Sequence, residues 1–350
     1  MSAVQVRGQV LGIRAVGAYV SMTVIAVGMA EAFRPGQFVA VAVGGEASAL
    51  VLRRAFSIFR VADRGVYGGT VEFVFAVTGK GTRWLAERRA HDVLNLVGPL
   101  GRPFALPREP ARVTLVGGGY GSAPLFALAD GLRARGSRVH FVLGAASEDR
   151  LFGALEAKRM ADSVAFTTED GSAGTQGRVS DVLPGVLERS RSEVVYACGP
   201  MPMLAAVSAA AAAAGLPCQV AVEEAMACGI GVCMTCVLPV VGEDGVTRMV
   251  RSCLEGPVFL GDRVRWADLG TVPADALGAP TTGPASPTTG PASPTSPVRT
   301  PSVGLPAPTP PSDGALPSDG ARPAESAAAA ESAAPAESAW VPSTPPVAAR

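Results

Sequence analysis

Four cysteines in one short stretch constrain this 350-residue chain more than any other feature. Cys228, Cys233 and Cys236 follow a C-x4-C-x2-C pattern, and Cys253 adds a fourth thiol after a gap of sixteen residues. This is the plant-type ligand spacing for a [2Fe–2S] cluster. Two glycines inside the first loop let the backbone curl tightly and bring its N–H groups close to sulfur.

Other uses of four thiols are weaker interpretations of this spacing. Structural zinc sites usually present two C-x2-C pairs, and this chain has one. Disulfides are not expected, because the first residues do not resemble a signal peptide and six cysteines in 350 residues is not the density of a secreted scaffold. The cluster is therefore the preferred prediction, and zinc or plain structural thiols stay open as alternatives.

The whole-chain composition narrows the class of protein. Apolar residues make up 48% of the sequence, and 30 basic residues balance 30 acidic ones, so we expect neither a nucleic acid partner nor a membrane-surface patch. No apolar run reaches the ~18 residues that a membrane span needs. The two histidines, His91 and His140, are far apart, which leaves little room for histidine-based chemistry. We expect a cytoplasmic, soluble protein.

The sequence pattern predicts a β domain followed by an α/β domain. Over residues 1–105, six short strands separated by turns predict a closed antiparallel barrel. One helix is predicted over residues 81–89, with Thr82 as its N-cap. Over residues 106–218, strands alternate with helices, which indicates a doubly wound, mostly parallel sheet.

Two further segments complete the predicted organisation. Residues 219–268 hold the cysteine run and form a small cluster-binding subdomain. Residues 269–350 are rich in proline, alanine and serine with almost no aromatic residues, so we predict a disordered tail. A functional peptide around Trp340 is an alternative to a merely solvated tail.

The predicted barrel carries two candidate anion sites. Residues 54–57 read Arg-Ala-Phe-Ser, and alternate strand residues share a face, so the arginine and the ring can address one phosphate-bearing ligand. Residues 79–82, at the start of the predicted helix, are a second cradle for a pyrophosphate. The structural alternatives are an ion-paired arginine on a half-buried strand and a glycine turn without a ligand.

The predicted α/β domain carries two more candidate binding loops. Residues 117–121 read Gly-Gly-Gly-Tyr-Gly between a strand and a helix, which is the context of a dinucleotide loop, although Ser122 replaces the last glycine of G-x-G-x-x-G. Cys198-Gly199-Pro200 follows a strand, at the edge where ligands bind to open α/β sheets. A plain tight turn and a buried thiol are the alternatives.

In this order, the motifs resemble the ferredoxin-reductase superfamily and, within it, the PyrK family of dihydroorotate dehydrogenase B electron transfer subunits. The resemblance covers residues 4–265 and departs from the usual Arg-Pro-Ile-Ser or Arg-Pro-Phe-Ser at Ala55. It implies three sets of residues: FAD contacts at Arg54, Ala55, Phe56, Ser57, Val74, Phe75, Ala76, Gly81 and Thr82; a nicotinamide nucleotide site at Gly117, Gly118, Gly119, Gly121, Cys198, Gly199 and Pro200, with Asp170-Gly171-Ser172 on the adenosine side; and [2Fe–2S] ligation by Cys228, Cys233, Cys236 and Cys253.

The resemblance also implies a function. The chain would carry electrons from an FMN-containing dihydroorotate dehydrogenase catalytic subunit through [2Fe–2S] and FAD to NAD+, in a heterotetramer of two of each subunit, in pyrimidine biosynthesis. FAD belongs between the others because a hydride carries two electrons and the cluster passes one. No catalytic acid or base is expected, and the chain alone should not oxidise dihydroorotate. An NAD(P)H:ferredoxin oxidoreductase or hydrogenase diaphorase-type subunit is one alternative, and a zinc-binding interaction protein without redox activity is another.

Overall fold

The protein is described by a computed structural model over residues 3–45, 48–63 and 68–280. The tandem repeats, the peptide around Trp340 and all of the predicted tail beyond residue 280 lie outside the described residues.

The N-terminal part is a closed six-stranded antiparallel barrel, as predicted, in the order β1-β2-β5-β4-β3-β6. Along β5 the alternate residues Val71, Phe73 and Phe75 are at most 1% exposed, so their side chains fill the barrel interior. The strands and the two helices of this part are β1 (Val4–Val16), β2 (Tyr19–Ile25), α1 (Met29–Ala32), β3 (Phe38–Val41), β4 (Arg54–Asp63), β5 (Gly69–Phe75), α2 (Lys80–Ala86) and β6 (Val93–Leu100).

The next part is a doubly wound α/β domain, which confirms the predicted fold class. Its elements are β7 (Arg112–Gly118), α3 (Ala123–Ala134), β8 (Arg138–Ala145), α4 (Ala154–Met160), β9 (Ser163–Thr168), β10 (Thr175–Gln176), α5 (Val179–Ser190), β11 (Val194–Cys198), α6 (Met201–Ala213) and β12 (Cys218–Ala221). The central strand β7 is an almost continuous buried apolar run, as a parallel strand covered on both faces must be. Helix α3 packs in one core of the sheet, and α5 and α6 pack in another.

The cysteine segment is built into both preceding parts. Its strands are β13 (Val237–Val241), β14 (Thr247–Arg251) and β15 (Val258–Leu260). The first two pair as an antiparallel hairpin, whereas β15 pairs antiparallel with β12 and so adds a seventh strand to the nucleotide-domain sheet. The predicted boundary at 218/219 therefore falls inside β12, a strand of that sheet. Cys236 and Cys253 pack with Phe38 and Leu100 of the barrel.

Residues 269–280, which composition assigned to the tail, pack against the cysteine segment. Ala276 is 6% exposed, and the N–H of Leu277 donates to the carbonyl of Thr247 at 2.8 Å. Arg265 also pairs with Asp275 at 2.6 Å. Within the part of the chain that the structure describes, none of the helices combines the length and the apolar character that crossing a membrane requires.

Candidate functional site

Eight of the nine barrel residues predicted to contact a flavin lie around one cavity of about 210 Å³, and Gly81 does not line it. The barrel side of this cavity is formed by β3, β4, the end of β5 and the turn into α2, through Phe38, Arg54, Ala55, Phe56, Ser57, Val74, Phe75, Ala76, Thr78 and Thr82. The two neighbouring arginines have different roles. Arg53 donates to the carbonyl and side-chain oxygens of Asn95 at 3.0 Å and so ties β4 to β6, whereas Arg54 borders the cavity.

The ring of Phe56 faces this cavity less than expected from the alternation of side chains along a strand. Its side chain is 8% exposed and stacks on Phe73 inside the barrel, with ring centroids 5.0 Å apart and planes 10° apart. Arg54 is the first residue of β4, while Phe56 lies two residues further along the strand, where the barrel encloses it. Its ring is therefore mainly core, and Arg54 is the group available to a phosphate.

The turn into α2 approaches Arg54 closely. A Cβ built on Gly81 would lie 3.1 Å from Nε of Arg54, so a larger residue here would press on the guanidinium. Thr82 is in the first turn of α2 and not its N-cap as predicted, because the helix begins at Lys80. Its hydroxyl still accepts from the N–H groups of Thr78 and Gly79 at 3.0 and 3.1 Å. The guanidinium of Arg54 therefore lies beside a glycine turn that has no side chains to block a ligand. This arrangement fits an anionic group such as a pyrophosphate.

The structure brings the two predicted nucleotide loops together. Strands β7 and β11 pair in parallel with Gly117 opposite Cys198, so the loops after them are neighbours. A Cβ on Gly121 would lie 2.8 Å from Cα of Gly199, and one on Gly118 would lie 2.8 Å from Cδ of Pro200. These contacts leave no space for side chains, and they explain why glycine is needed at both positions.

A second cavity, of about 500 Å³, lies on the carboxyl edge of the parallel sheet. Gly118, Gly119, Gly121 and Pro200 border it, whereas Cys198 and Gly199 border the barrel cavity and Gly117 borders neither. Asp170-Gly171-Ser172, predicted on the adenosine side, does not line it either. The carboxylate of Asp170 instead accepts from the N–H and hydroxyl of Ser172, at 3.0 and 2.6 Å, and closes its own turn.

Sequence reasoning missed several polar residues of the 500 Å³ cavity. Arg150, Glu169 and Arg178 line it, and Nε of Arg178 lies 3.6 Å from Oε1 of Glu169. Each lies in a loop after β8 or β9 or before α5, at the carboxyl edge of the sheet. The rule that open α/β sheets bind ligands at this edge was the signal that could have found them.

The two cavities adjoin. Tyr120, Gly121 and Glu223 border both of them. The barrel cavity is also bordered by Glu224 and Met226, which belong to the segment leading into the cysteine loop. Side chains of the barrel, the nucleotide domain and the cysteine segment therefore meet around a single cavity.

The cysteine loop directs backbone N–H groups at its own thiols. Sγ of Cys228 accepts from the N–H groups of Ile230 and Val232 at 3.4 Å, and Sγ of Cys253 accepts from Gly231 at 3.1 Å. Gly229 and Gly231 both have positive φ, 72° and 83°, which only glycine adopts without strain. Such N–H···S bonds stabilise thiolates and tune a bound iron–sulfur group.

The thiols associate in two pairs. Sγ of Cys228 accepts from the N–H of Cys233 at 3.5 Å, and the side chains of Cys236 and Cys253 are buried together in one cluster. Hydrogen bonds from Thr235, and then from Cys228, lower the pKa of the exposed Cys233 thiol to about 6. Burial, and then the contact with Cys236, raises the pKa of Cys253 to about 12.

This donor set fits two irons. Two pairs of thiols surrounded by N–H donors are what a [2Fe–2S] group takes, since each iron binds two cysteines.

Arg251, which sequence reasoning missed, fixes the cysteine loop. Its guanidinium donates to the carbonyl of Gly231 at 2.9 Å and pairs with Glu255 at 2.6 Å. Glu255 lies two residues after Cys253, and the N–H of Gly231 donates to Sγ of Cys253. The contacts of Arg251 therefore hold the cysteine loop against the β13–β14 hairpin. The sequence offered one signal, since Arg251 comes just before Ser252-Cys253.

The barrel, the parallel-sheet domain and the four-thiol loop together define a reductase of the ferredoxin-reductase type with an iron–sulfur segment. Residues 223–265 match the family model of the iron-sulfur cluster binding domain of dihydroorotate dehydrogenase B. The chain is 35% identical, over 66% of its length and 87% of the relative's, to the dihydroorotate dehydrogenase B (NAD(+)) electron transfer subunit of Desulforamulus reducens. For that of Bacillus caldolyticus the identity is 39%, over 67% and 88%. The chain belongs to the family of dihydroorotate dehydrogenase B electron transfer subunits.

Solved structures agree with this family and fold. The NADH-dependent reduced ferredoxin–NADP oxidoreductase superposes with a TM-score of 0.65 at 29% identity, covering 75% of this chain and 91% of that one. The ferredoxin reductase of carbazole 1,9a-dioxygenase has a TM-score of 0.52 at 23% identity, covering 62% and 68%, and supports the fold alone.

Proposed function

We propose that this protein is the electron transfer subunit of an NAD-dependent dihydroorotate dehydrogenase of pyrimidine biosynthesis. It would link an FMN-containing catalytic subunit, two copies of each forming a heterotetramer, to NAD+ in the cytoplasm. The observation that carries this proposal is the barrel cavity, which nucleotide loops border on one side and the segment leading to the cysteines borders on another. A flavin bound in this cavity would lie next to the nucleotide loops on one side and next to the segment leading to the cysteines on the other.

The residues present fit the three groups that this function requires. Arg54, Thr82 and the glycine turn at Gly81 would hold the FAD pyrophosphate, and Val74 to Ala76 would line the ring. Cys228, Cys233, Cys236 and Cys253 would hold the [2Fe–2S] cluster. When bound, FAD exchanges hydride with nicotinamide and single electrons with the cluster.

The chain's own part is to bind, position and shield these groups. The loops of Gly117–Gly121 and Cys198–Pro200 would bring NAD against the barrel cavity, and their glycines permit the close approach that hydride transfer needs. The N–H groups around Cys228 and Cys253 would donate to the two sulfur atoms when these bind iron. None of these tasks needs a side-chain acid or base.

The surface around the cysteine loop supports a docked catalytic subunit. Ile230, Val232, Met234 and Leu254 are 47% to 75% exposed and surround the thiols. Exposed apolar groups gathered at one site are typical of protein interfaces. We therefore place the contact with the catalytic subunit at this loop.

A spectrum of the purified protein with iron, sulfide and flavin analysis tests the cofactors. We expect flavin bands over a broad iron–sulfur envelope. Cys233→Ser should remove the iron–sulfur envelope and leave the flavin bands. Cys218→Ser, at a thiol far from the loop, is the matched control and should keep both. A colourless, zinc-loaded protein would refute this function and favour the zinc-binding alternative.

Reconstitution tests the partner. The protein should reduce NAD+ with dihydroorotate only when mixed with an FMN-containing catalytic subunit, and it should co-purify with that subunit. Turnover of dihydroorotate by the isolated, flavin-loaded chain would contradict the proposal. Co-purification with a ferredoxin or hydrogenase instead would favour the second candidate, a diaphorase-type subunit, which the likeness to the NADH-dependent reduced ferredoxin–NADP oxidoreductase supports.

A further inference from the structure

A hydrogen bond lies at the boundary between the two cavities. Tyr120 and Glu223 border both the 500 Å³ nucleotide cavity and the 210 Å³ barrel cavity. The hydroxyl of Tyr120 donates to Oε1 of Glu223 at 3.2 Å, across 103 residues of sequence. A ligand that reaches from one cavity into the other must pass this contact.

The tyrosine is held in place on its other side. Its ring packs on the ring of Tyr19, with centroids 5.2 Å apart and planes at 58°. Tyr19 is itself anchored, because its hydroxyl donates to the carbonyl of Arg150 at 2.9 Å. Burial, and then the charge of Glu223, raises the pKa of Tyr120 above its usual value, so the hydroxyl stays a donor at neutral pH.

The acceptor of this hydrogen bond is the carboxylate of Glu223. Glu223 comes two residues after the end of β12 and opens the segment that leads to Cys228. An ionised carboxylate only accepts hydrogen bonds, and a nicotinamide ring carries a carboxamide whose N–H groups are donors. The Tyr120 hydroxyl already uses Oε1 of this carboxylate, and a carboxamide N–H is a second donor for the same group.

We propose that nicotinamide breaks the Tyr120–Glu223 hydrogen bond as it enters the barrel cavity. The Glu223 carboxylate then accepts from the carboxamide N–H instead of from the tyrosine hydroxyl. The proposal rests on the proposed use of the 500 Å³ cavity by a nicotinamide nucleotide. Glu223 is then the residue that recognises the carboxamide, and Tyr120 is the donor that occupies its carboxylate until the nucleotide enters.

Two substitutions separate these roles. Tyr120→Phe keeps the ring and removes the competing hydroxyl, so the KM for NADH should fall by about three- to tenfold, the effect of one partly exposed hydrogen bond to a carboxylate. Glu223→Ala removes the acceptor, so the KM for NADH should rise by a similar factor. Because both residues border the barrel cavity, the FAD content of each variant is measured and the kinetics are expressed per bound flavin.

The experiment uses the full-length, flavin-loaded protein and NADH:ferricyanide reduction. The probe is the reduced 3-acetylpyridine analogue of NADH, which has a methyl ketone in place of the carboxamide and no N–H to donate. We expect the wild type to favour NADH over the analogue in kcat/KM, and Glu223→Ala to lose at least about threefold of this preference. Comparing variant with wild type cancels the intrinsic difference between the two nucleotides.

Tyr196→Phe is the matched control. Its hydroxyl donates to the carbonyl of Ala105 at 2.9 Å, and the residue borders neither cavity. The preference for NADH over the analogue should be unchanged in this variant. A loss of preference in Tyr196→Phe as large as that in Glu223→Ala would overturn the proposal, because the effect would then be a general one of removing a polar contact.

The remaining outcomes are distinct. An unchanged KM in Tyr120→Phe, or an unchanged preference in Glu223→Ala, overturns the inference and leaves the proposed function standing. A wild type that neither binds nor oxidises NADH refutes the proposed function and the inference with it. Tighter binding of NADH by Tyr120→Phe, together with lost discrimination in Glu223→Ala, supports the inference.

Discussion

The two glycine-rich loops of this protein use the same residue for different physical reasons. In the nucleotide loop, Gly118 and Gly121 have no space for a side chain, since a Cβ on either would lie 2.8 Å or less from a neighbouring loop or side chain. In the cysteine loop, a Cβ on Gly229 would have space and one on Gly231 would meet only the flexible end of the Leu254 side chain, at 3.1 Å, but both glycines have positive φ. The first loop is shaped by what packs on it, and the second by its own backbone.

This difference predicts that a methyl group should act by collision in one loop and by backbone strain in the other. Single alanine substitutions in the two loops separate these two effects.

Gly121→Ala should be the most damaging change. Its Cβ would meet the backbone of Gly199, which cannot rotate away, so we expect a loss of about 1–3 kcal/mol in the free energy of unfolding. Because the nucleotide loops would move apart, the KM for NADH should rise at least about tenfold. Thermal unfolding and NADH:ferricyanide kinetics measure both effects.

Gly131→Ala is its control. Gly131 lies inside α3 with nothing within 4 Å of a Cβ, so alanine should stabilise the helix by about 0.5–1 kcal/mol and leave NADH kinetics unchanged. If Gly121→Ala behaved like Gly131→Ala, the loop would be shaped by something other than close packing.

Gly231→Ala should cost about 1–2 kcal/mol, because alanine must adopt φ near +83° there. We expect the ratio of iron to flavin to fall, since the Gly231 N–H is aimed at Cys253, while NADH:ferricyanide activity is kept. Gly245→Ala, in the β13–β14 turn, has a similar φ of 75° and open space. It should show the same strain with full iron content, and an equal loss of iron in both variants would contradict the assigned role of Gly231.

Thr82→Val should have a smaller effect. Valine keeps the shape of threonine but leaves the N–H groups of Thr78 and Gly79 without their acceptor, at a cost of about 1 kcal/mol. The dissociation constant for FAD should rise by about fivefold, as measured by flavin fluorescence on release. Thr82→Ser retains the hydroxyl and should bind FAD normally. Equal weakening in both variants would show that the methyl group, and not the hydroxyl, matters.

The smallest effect is expected for the two thiols of the nucleotide domain, Cys198 and Cys218, which should react only slowly with an alkylating agent. Burial raises the pKa of Cys218 to about 12, and burial with the charge of Glu223 raises that of Cys198 above its usual value. Since the thiolate is the reactive form, both should resist iodoacetamide at pH 8 and react only at strongly alkaline pH or when the chain unfolds. Mass spectrometry of the native and urea-unfolded protein checks this, and modification of either at the rate of a peptide thiol would contradict the assigned burial.

The sequence by itself determined features that depend on spacing along the chain. The cysteine pattern indicated the cluster, the strand runs predicted the barrel, and the alternation of strands and helices predicted the doubly wound sheet. These patterns are readable because a local period fixes which residues share a face, whatever lies elsewhere in the protein.

Only the tertiary structure decided what approaches each loop from a distance. It added β15 to the nucleotide-domain sheet, placed the ring of Phe56 in the barrel core, and lined the 500 Å³ cavity with Glu169 and Arg178 but not with Asp170. It also joined Tyr120 to Glu223 across 103 residues. Such contacts depend on how separate elements pack, and no period in the sequence encodes the distance between two loops that meet only after the chain has folded.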